Sequence, residues 1–147
     1  MTISQSHNIV FLCTGNACRS QMAEALARHL LPDSVAVHSA GIVAHGMNSC
    51  VEEVMAEMGI SLEGHYSKSI TELELLTWDL VVTVCDNAAD SCPSIPAKCV
   101  IHNSFPDPPA MAEQFVAQQE KLDCYRQVRD QIHLWLETQD LLKYLVY

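Results

Sequence analysis

The chain has 147 residues, 49% hydrophobic and 18% charged, which fits a single domain over 1–147 and excludes a disordered or low-complexity chain. Eight Lys and Arg stand against 18 Asp and Glu, a formal net charge of −10, so the basic face that nucleic acid binding requires is missing. No apolar run approaches the roughly 18 residues of a membrane helix, and the opening MTISQSHNIVFLC lacks the basic n-region of a secretory signal, so neither nucleic acid nor a membrane is an expected partner.

Residues 8–13 (NIVFLC) form a short apolar run suited to a strand buried on both faces. After the turn residues Thr14, Gly15 and Asn16, residues 20–31 repeat Met22, Leu26 and Leu30 at i+4 beside Ala23 and Ala27, a helical pattern that Pro32 and Asp33 stop. Residues 35–39 read as a second strand, and 48–58 as a second helix with Gly59 where a C-terminal glycine belongs. The β-branched, uncharged run 80–85 (LVVTVC) is the strongest strand, and 99–102 reads as a fourth. Residues 113–139 are helical in pattern for long enough to predict a break or a frayed end. The apolar stretch 141–147 is expected to pack back on the sheet or on a partner. Strands alternating with helices predict an α/β fold with a parallel sheet and right-handed crossovers, its ligand lying beyond the carboxyl ends of the strands.

Three chemically loaded segments fall at that edge. In the first, Cys13-Thr14-Gly15-Asn16-Ala17-Cys18-Arg19-Ser20, a loop between strand and helix can curl around a tetrahedral oxyanion, with inward N–H groups backed by the helix N-terminus. Arg19 would grip two oxygens with its planar fork. The same field lowers a cysteine pKa from about 8.5 into a range of about 3.5–7.5, which marks Cys13 as a nucleophile, with Ser20 placed to donate a hydrogen bond to its thiolate. Gly15 and Asn16 tolerate the left-handed angles of a tight nest. By composition alone a Cys-x5-Arg pair arises by chance in roughly one such chain in five, and the strand before it and helix after it are what give it meaning.

The seven cysteines are expected to be thiols of a cytoplasmic protein, with any disulfide transient and catalytic. Cys85 ends the strongest strand, and Cys92 follows across the polar segment 86–91. A segment of that kind can loop out and let two sulfurs meet, and a nucleophilic Cys13 near two further thiols points to a thiol–disulfide relay. A zinc site of Cys85, Cys92 and Cys99 is the alternative, weakened by the absence of a Cys-x2-Cys unit. Cys50, Cys99 and Cys124 read as packing or surface thiols, while Cys18 lies where it could be oxidised against Cys13. Asp107, flanked by Pro106 and Pro108, is either a turn residue or a general acid for a leaving oxygen.

The string CTGNACRSQMAEA, SAGI at 39–42, Gly64-His65, DLVVTVC, Cys92-Pro93 and DPP together resemble the thioredoxin-coupled arsenate reductases. That family shares the low-molecular-weight tyrosine phosphatase fold, a four-stranded parallel sheet flanked by helices. The resemblance implies Cys13 as nucleophile, Arg19 as oxyanion clamp and Ser20 as thiolate holder, with residues 14–18 (Thr14, Gly15, Asn16, Ala17 and Cys18) lining the substrate. It implies Cys85 and Cys92 as relay cysteines, Asp107 as general acid, arsenate as substrate and thioredoxin as reductant, with no required cofactor. Some members hold a potassium ion, whose ligands would here be Asn16, Glu24 and Ser39. The fourth, acidic position of that site is Lys68, which implies weak potassium dependence. A tyrosine phosphatase on the same scaffold is the alternative, but such enzymes have Pro where this chain has Gln21 and an aromatic where it has Pro109.

Overall fold

A computed structural model of the chain describes residues 7–73, 76–85 and 95–145. Strands β1 (His7–Cys13), β2 (Val35–Gly41), β3 (Trp78–Thr83) and β4 (Ala97–His102) form one sheet in the order β2-β1-β3-β4, with every pairing parallel. Helices α1 (Arg19–Leu30), α2 (Ser49–Ala56), α3 (Pro108–Ala112) and α4 (Gln118–Thr138) flank it. β1 has a partner on each side and Ile9, Val10 and Phe11 are wholly buried, which is why its sequence is continuously apolar instead of alternating. α1 covers the sheet with Met22, Ala23, Leu26 and Ala27, and α4 packs on α1 through Leu122, Tyr125, Val128, Ile132 and Leu136 at helical spacing.

Several boundaries differ from the sequence reading, and β4, for one, starts two residues earlier, at Ala97. β3 starts two residues earlier, at Trp78, and ends before Cys85. Asp79 reads as a strand breaker, yet its carboxylate accepts from Asn8 N at 2.8 Å and lies 3.2 Å from Lys98 Nζ, so the sheet carries it without an unpaired charge. β2 runs on to Gly41. The long helical pattern is broken as expected, with α4 starting only at Gln118. The short α3 is unforeseen: Pro108 and Pro109 occupy its first positions, where a missing N–H costs nothing. Gly59 does end α2 in a left-handed conformation, φ +74°.

The C-terminal stretch buries Leu141 and Leu145 in a 3-10 turn (Leu141–Leu145) packed on β3, which places it on the sheet. At the other edge of the sheet, Gly41 N donates to Lys68 O at 2.9 Å and Gly41 forms a parallel bridge with Ser69, so residues 66–69 dock on the end of β2. Among the described residues no helix is long and apolar enough to cross a membrane.

Candidate active site

β1 ends at Cys13 and α1 begins at Arg19, which leaves residues 14–18 as a tight loop at the carboxyl edge of the sheet. The loop carbonyls are held outward: Cys13 O accepts from Ile42 N (3.3 Å), Thr14 O from Val43 N (3.1 Å), and Gly15 O from His45 N (2.9 Å) and Ser67 Oγ (3.0 Å). In a trans peptide the N–H points opposite to its carbonyl, so the N–H groups of Thr14 and Gly15 turn toward the cleft. Of the two residues expected to be left-handed, only Asn16 is, at φ +50°. Gly15 matters for a different reason, because a Cβ there would meet the His45 imidazole, which would have to swing aside.

Cys13, the expected nucleophile, sits in a chain of side-chain hydrogen bonds. Cys13 Sγ is 2.8 Å from Ser20 Oγ, and Asn16 Nδ2 donates to the same Oγ at 2.8 Å. Because Oγ is already an acceptor from Asn16, its own proton is free to point at the sulfur. Asn16 Oδ1 in turn accepts from Lys68 N and Gln21 Nε2, both at 2.9 Å. A hydrogen bond donated to a thiolate favours the charged form.

Cys13, Cys18, Arg19, His45, Cys85 and Asp107 line one cleft of about 900 Å³. Arg19 donates through Nη1 to Phe105 O at 3.1 Å, while Nη2 lies 3.7 Å from Asp107 Oδ1. Phe105 O thus orients the guanidinium beside the carboxylate, and Asp107 sits at the N-cap of α3 instead of in an irregular loop. Cys85, two residues past β3, is buried with its Sγ 3.5 Å from Thr14 Oγ1, a second thiol against the anion loop. Cys92, the other expected relay residue, lies outside the described residues.

Cys18 is buried in the same loop, and burial pushes its thiol up to about 12, helped by the charges of Cys13 and Asp107. Asn48 caps α2 by accepting from Cys50 N (2.9 Å), and its amide donates to Cys18 Sγ (3.3 Å) and Tyr125 Oη (3.0 Å). Gln21, His45 and Asn48 were not singled out by sequence reasoning as parts of the site. Only Gln21 left a signal, as the residue standing where phosphatases of this fold have Pro.

Glu24, Ser39 and Lys68 do not line the cleft. They form a buried cluster behind Asn16, where Ser39 Oγ donates to Glu24 Oε1 (2.6 Å) and the Glu24 carboxylate lies near Arg28 (3.0 Å), His65 (3.3 Å) and Lys68 (3.9 Å). Asn16 Oδ1 already has two donors, and the Lys68 ammonium, donating to Tyr66 O at 3.1 Å, supplies a positive charge within the cluster. Burial lowers the pKa values of Lys68 and His65, and the Glu24 charge opposes that shift in both.

A sequence model of the low molecular weight phosphotyrosine protein phosphatase family matches residues 8–134. The chain belongs to this family. Relatives named arsenate reductases match it over most of its length. An arsenate reductase of Halalkalibacterium halodurans is 46% identical over 131 residues, covering 88% of this chain and 92% of that protein. The arsenate reductase of Bacillus subtilis is 44% identical over 124 residues, covering 84% and 88%. Among solved structures, an arsenate reductase in the phosphate-binding state superposes with a TM-score of 0.71 at 26% identity, covering 89% of this chain and 94% of that one.

Proposed function

We propose that this protein reduces arsenate to arsenite, an arsenic-detoxifying reaction, through a relay running Cys13–Cys85–Cys92 that thioredoxin empties. The observation that carries the reading is a second buried thiol, Cys85, placed against the anion loop of a phosphatase scaffold. A phosphatase has no use for it. The 46% and 44% identical relatives are themselves named arsenate reductases.

In this reading arsenate lies in the loop, its charge met by the N–H groups, the N-terminus of α1 and Arg19. Cys13 Sγ attacks arsenic, Asp107 protonates the departing oxygen, and water leaves a Cys13 thiol–arsenate adduct. Cys85 then attacks Cys13 Sγ as a thiolate. The S–S bond forms and the S–As bond breaks with its electron pair going to arsenic, which departs as arsenite after taking up protons, that of the Cys85 thiol included. Cys92 attacks Cys85 Sγ and frees the Cys13 thiolate, leaving a Cys85–Cys92 disulfide. Cys13 and Cys85 are 3% and 1% exposed, out of reach of a protein-sized reductant, so a third thiol has to carry the oxidation outward. A dithiol reductant such as thioredoxin then restores both cysteines in a reducing compartment, the cytoplasm.

The test is arsenate-dependent NADPH consumption with thioredoxin and its reductase. Wild type turns over, Cys85→Ser stops at the Cys13 adduct, and Cys92→Ser releases one equivalent of arsenite and stops at a Cys13–Cys85 disulfide. If all three proteins instead hydrolyse an aryl phosphate equally and ignore arsenate, the protein is a phosphatase of the same family using Cys13, Arg19 and Asp107. The Lys68 ammonium stands in for a bound cation in this reading. Exchanging sodium for potassium at constant ionic strength therefore leaves turnover unchanged, and a severalfold rise in potassium overturns that part.

A further inference from the structure

Gln21 is wholly buried one position after Ser20, and its side chain touches neither the cleft nor solvent. Its Nε2 faces three oxygens: Asn16 O at 3.2 Å, Asn16 Oδ1 at 2.9 Å and Tyr66 O at 3.1 Å. Its Oε1 lies 3.3 Å from His65 Nδ1. The orientation of this carboxamide is therefore unambiguous, since swapping its ends would set an oxygen against three oxygens.

Each polarity then forces the next. Gln21 Nε2 donates to Asn16 Oδ1, so the Asn16 amide must present Nδ2 to Ser20 Oγ. Ser20 Oγ, once an acceptor, directs its proton to Cys13 Sγ. Were the Asn16 amide reversed, its Oδ1 would claim the Ser20 proton and the sulfur would lose its donor. We propose that Gln21 is a positioning residue whose carboxamide locks Asn16 in the one orientation that keeps the Ser20 proton on Cys13. The inference rests on the reading of Cys13 as the nucleophilic thiolate and adds a residue that no contact with substrate would reveal.

Replacing Gln21 by an apolar side chain leaves Asn16 O, Asn16 Oδ1 and Tyr66 O facing one another in a space closed to water, and reversing the Asn16 amide relieves that repulsion. Lys68 N also donates to Asn16 Oδ1, so the loss is partial. The titratable and charged groups around the two ends are Cys18, Arg19, His45, Cys85 and Asp107 at the cleft and Glu24, Arg28, His65, Lys68 and Glu72 behind the loop. None of them is altered by the substitutions used in the test.

The measurement is Cys13 alkylation by iodoacetamide as a function of pH, quantified on the Cys13 peptide by mass spectrometry. Gln21→Met, close in volume, shifts the pH midpoint upward and slows alkylation below it by about three- to tenfold, with full rate regained at higher pH. Gln21→Leu, likewise without a donor or a charge, shifts it the same way and guards against a folding defect peculiar to methionine. In a Ser20→Ala background, where the last link is already gone, Gln21→Met has no further effect on the midpoint. The proposal is overturned if both Gln21 variants titrate like wild type, or if the Gln21→Met shift persists undiminished with Ser20 removed. Arsenate is absent from the measurement, so its outcome is independent of whether the relay assay succeeds.

Discussion

Asn16 and Ser20 meet at 2.8 Å, and the direction of that hydrogen bond decides what Cys13 experiences, because Asn16 can only donate there and Ser20 is left to donate to the sulfur. Hydrogen bonds to a charged acceptor contribute roughly 1.5–3 kcal/mol. Removing the hydroxyl with Ser20→Ala should therefore raise the pH midpoint of Cys13 alkylation and lower arsenate kcat/KM at neutral pH by about tenfold or more. The loss shrinks as pH rises past the new midpoint, and a pH-independent loss would contradict the role given to Ser20.

Two glycines touch the anion loop and should respond differently to alanine. At Gly15 the obstructing group is the exposed imidazole of His45, which can swing aside, so Gly15→Ala folds normally and changes arsenate KM more than stability. At Gly41 a Cβ would lie 2.4 Å from Val43 O, 2.7 Å from Asn16 N and 2.8 Å from Thr14 O, all backbone. Gly41→Ala should cost about 1–3 kcal/mol in urea unfolding and disturb Asn16 as well. Equal melting of the two variants would show that the loop yields where it is drawn as rigid.

Asp107 lies 3.7 Å from Arg19 and is only half-buried, so its carboxyl can both reach a departing oxygen and exchange protons with water. Asp107→Asn keeps the shape and removes the acid. Arsenate turnover should fall by about 10²–10⁴-fold with KM nearly unchanged. A rise in KM with kcat preserved would make Asp107 a binding residue instead.

Cys18 links the site to alkaline stability. Its ordinary thiol value is 9.0 and burial raises it to about 12 in the folded protein. Between those values the unfolded chain has lost a proton that the folded one keeps, so stability is complete below pH 9 and declines as pH climbs toward 12. Tyr125, also pushed up to about 12 by burial, adds to the decline above its ordinary value of 10.0. Thermal melts across this range should fall less steeply for Cys18→Ser than for wild type. Parallel curves would mean the thiol is more solvated than its burial indicates.

The parts legible in the sequence were those whose signals are local. Apolar runs marked the strands and their order along the chain, and Cys13, Arg19 and Ser20 stand within eight residues, so strand–loop–helix context sufficed to bring them to one loop. Asp107 and Cys85 were placed through the rule that parallel sheets collect function at one edge, and both reach the cleft. What escaped were contacts between distant segments. Lys68 N reaches Asn16 Oδ1 across 52 positions, Asn48 reaches Tyr125 across 77, and no periodicity encodes either. Asp79 hid the start of β3 because a charge reads as a breaker until its partners are known. Gly15 was given a conformational reason when the real one is a neighbour 30 positions away, His45.

Residues 66–69 have a double attachment, closing the end of β2 at Gly41 while holding Asn16 and Gln21 in place. β2 is a border strand, and the outer edge of such a strand is the kind of surface on which chains template one another. The fastening that holds Asn16 and Gln21 therefore also covers the end of this border at Gly41. Damage to it, by heat or by mutation in 66–69, would make loss of activity and the onset of aggregation a single event, so turbidity should track inactivation.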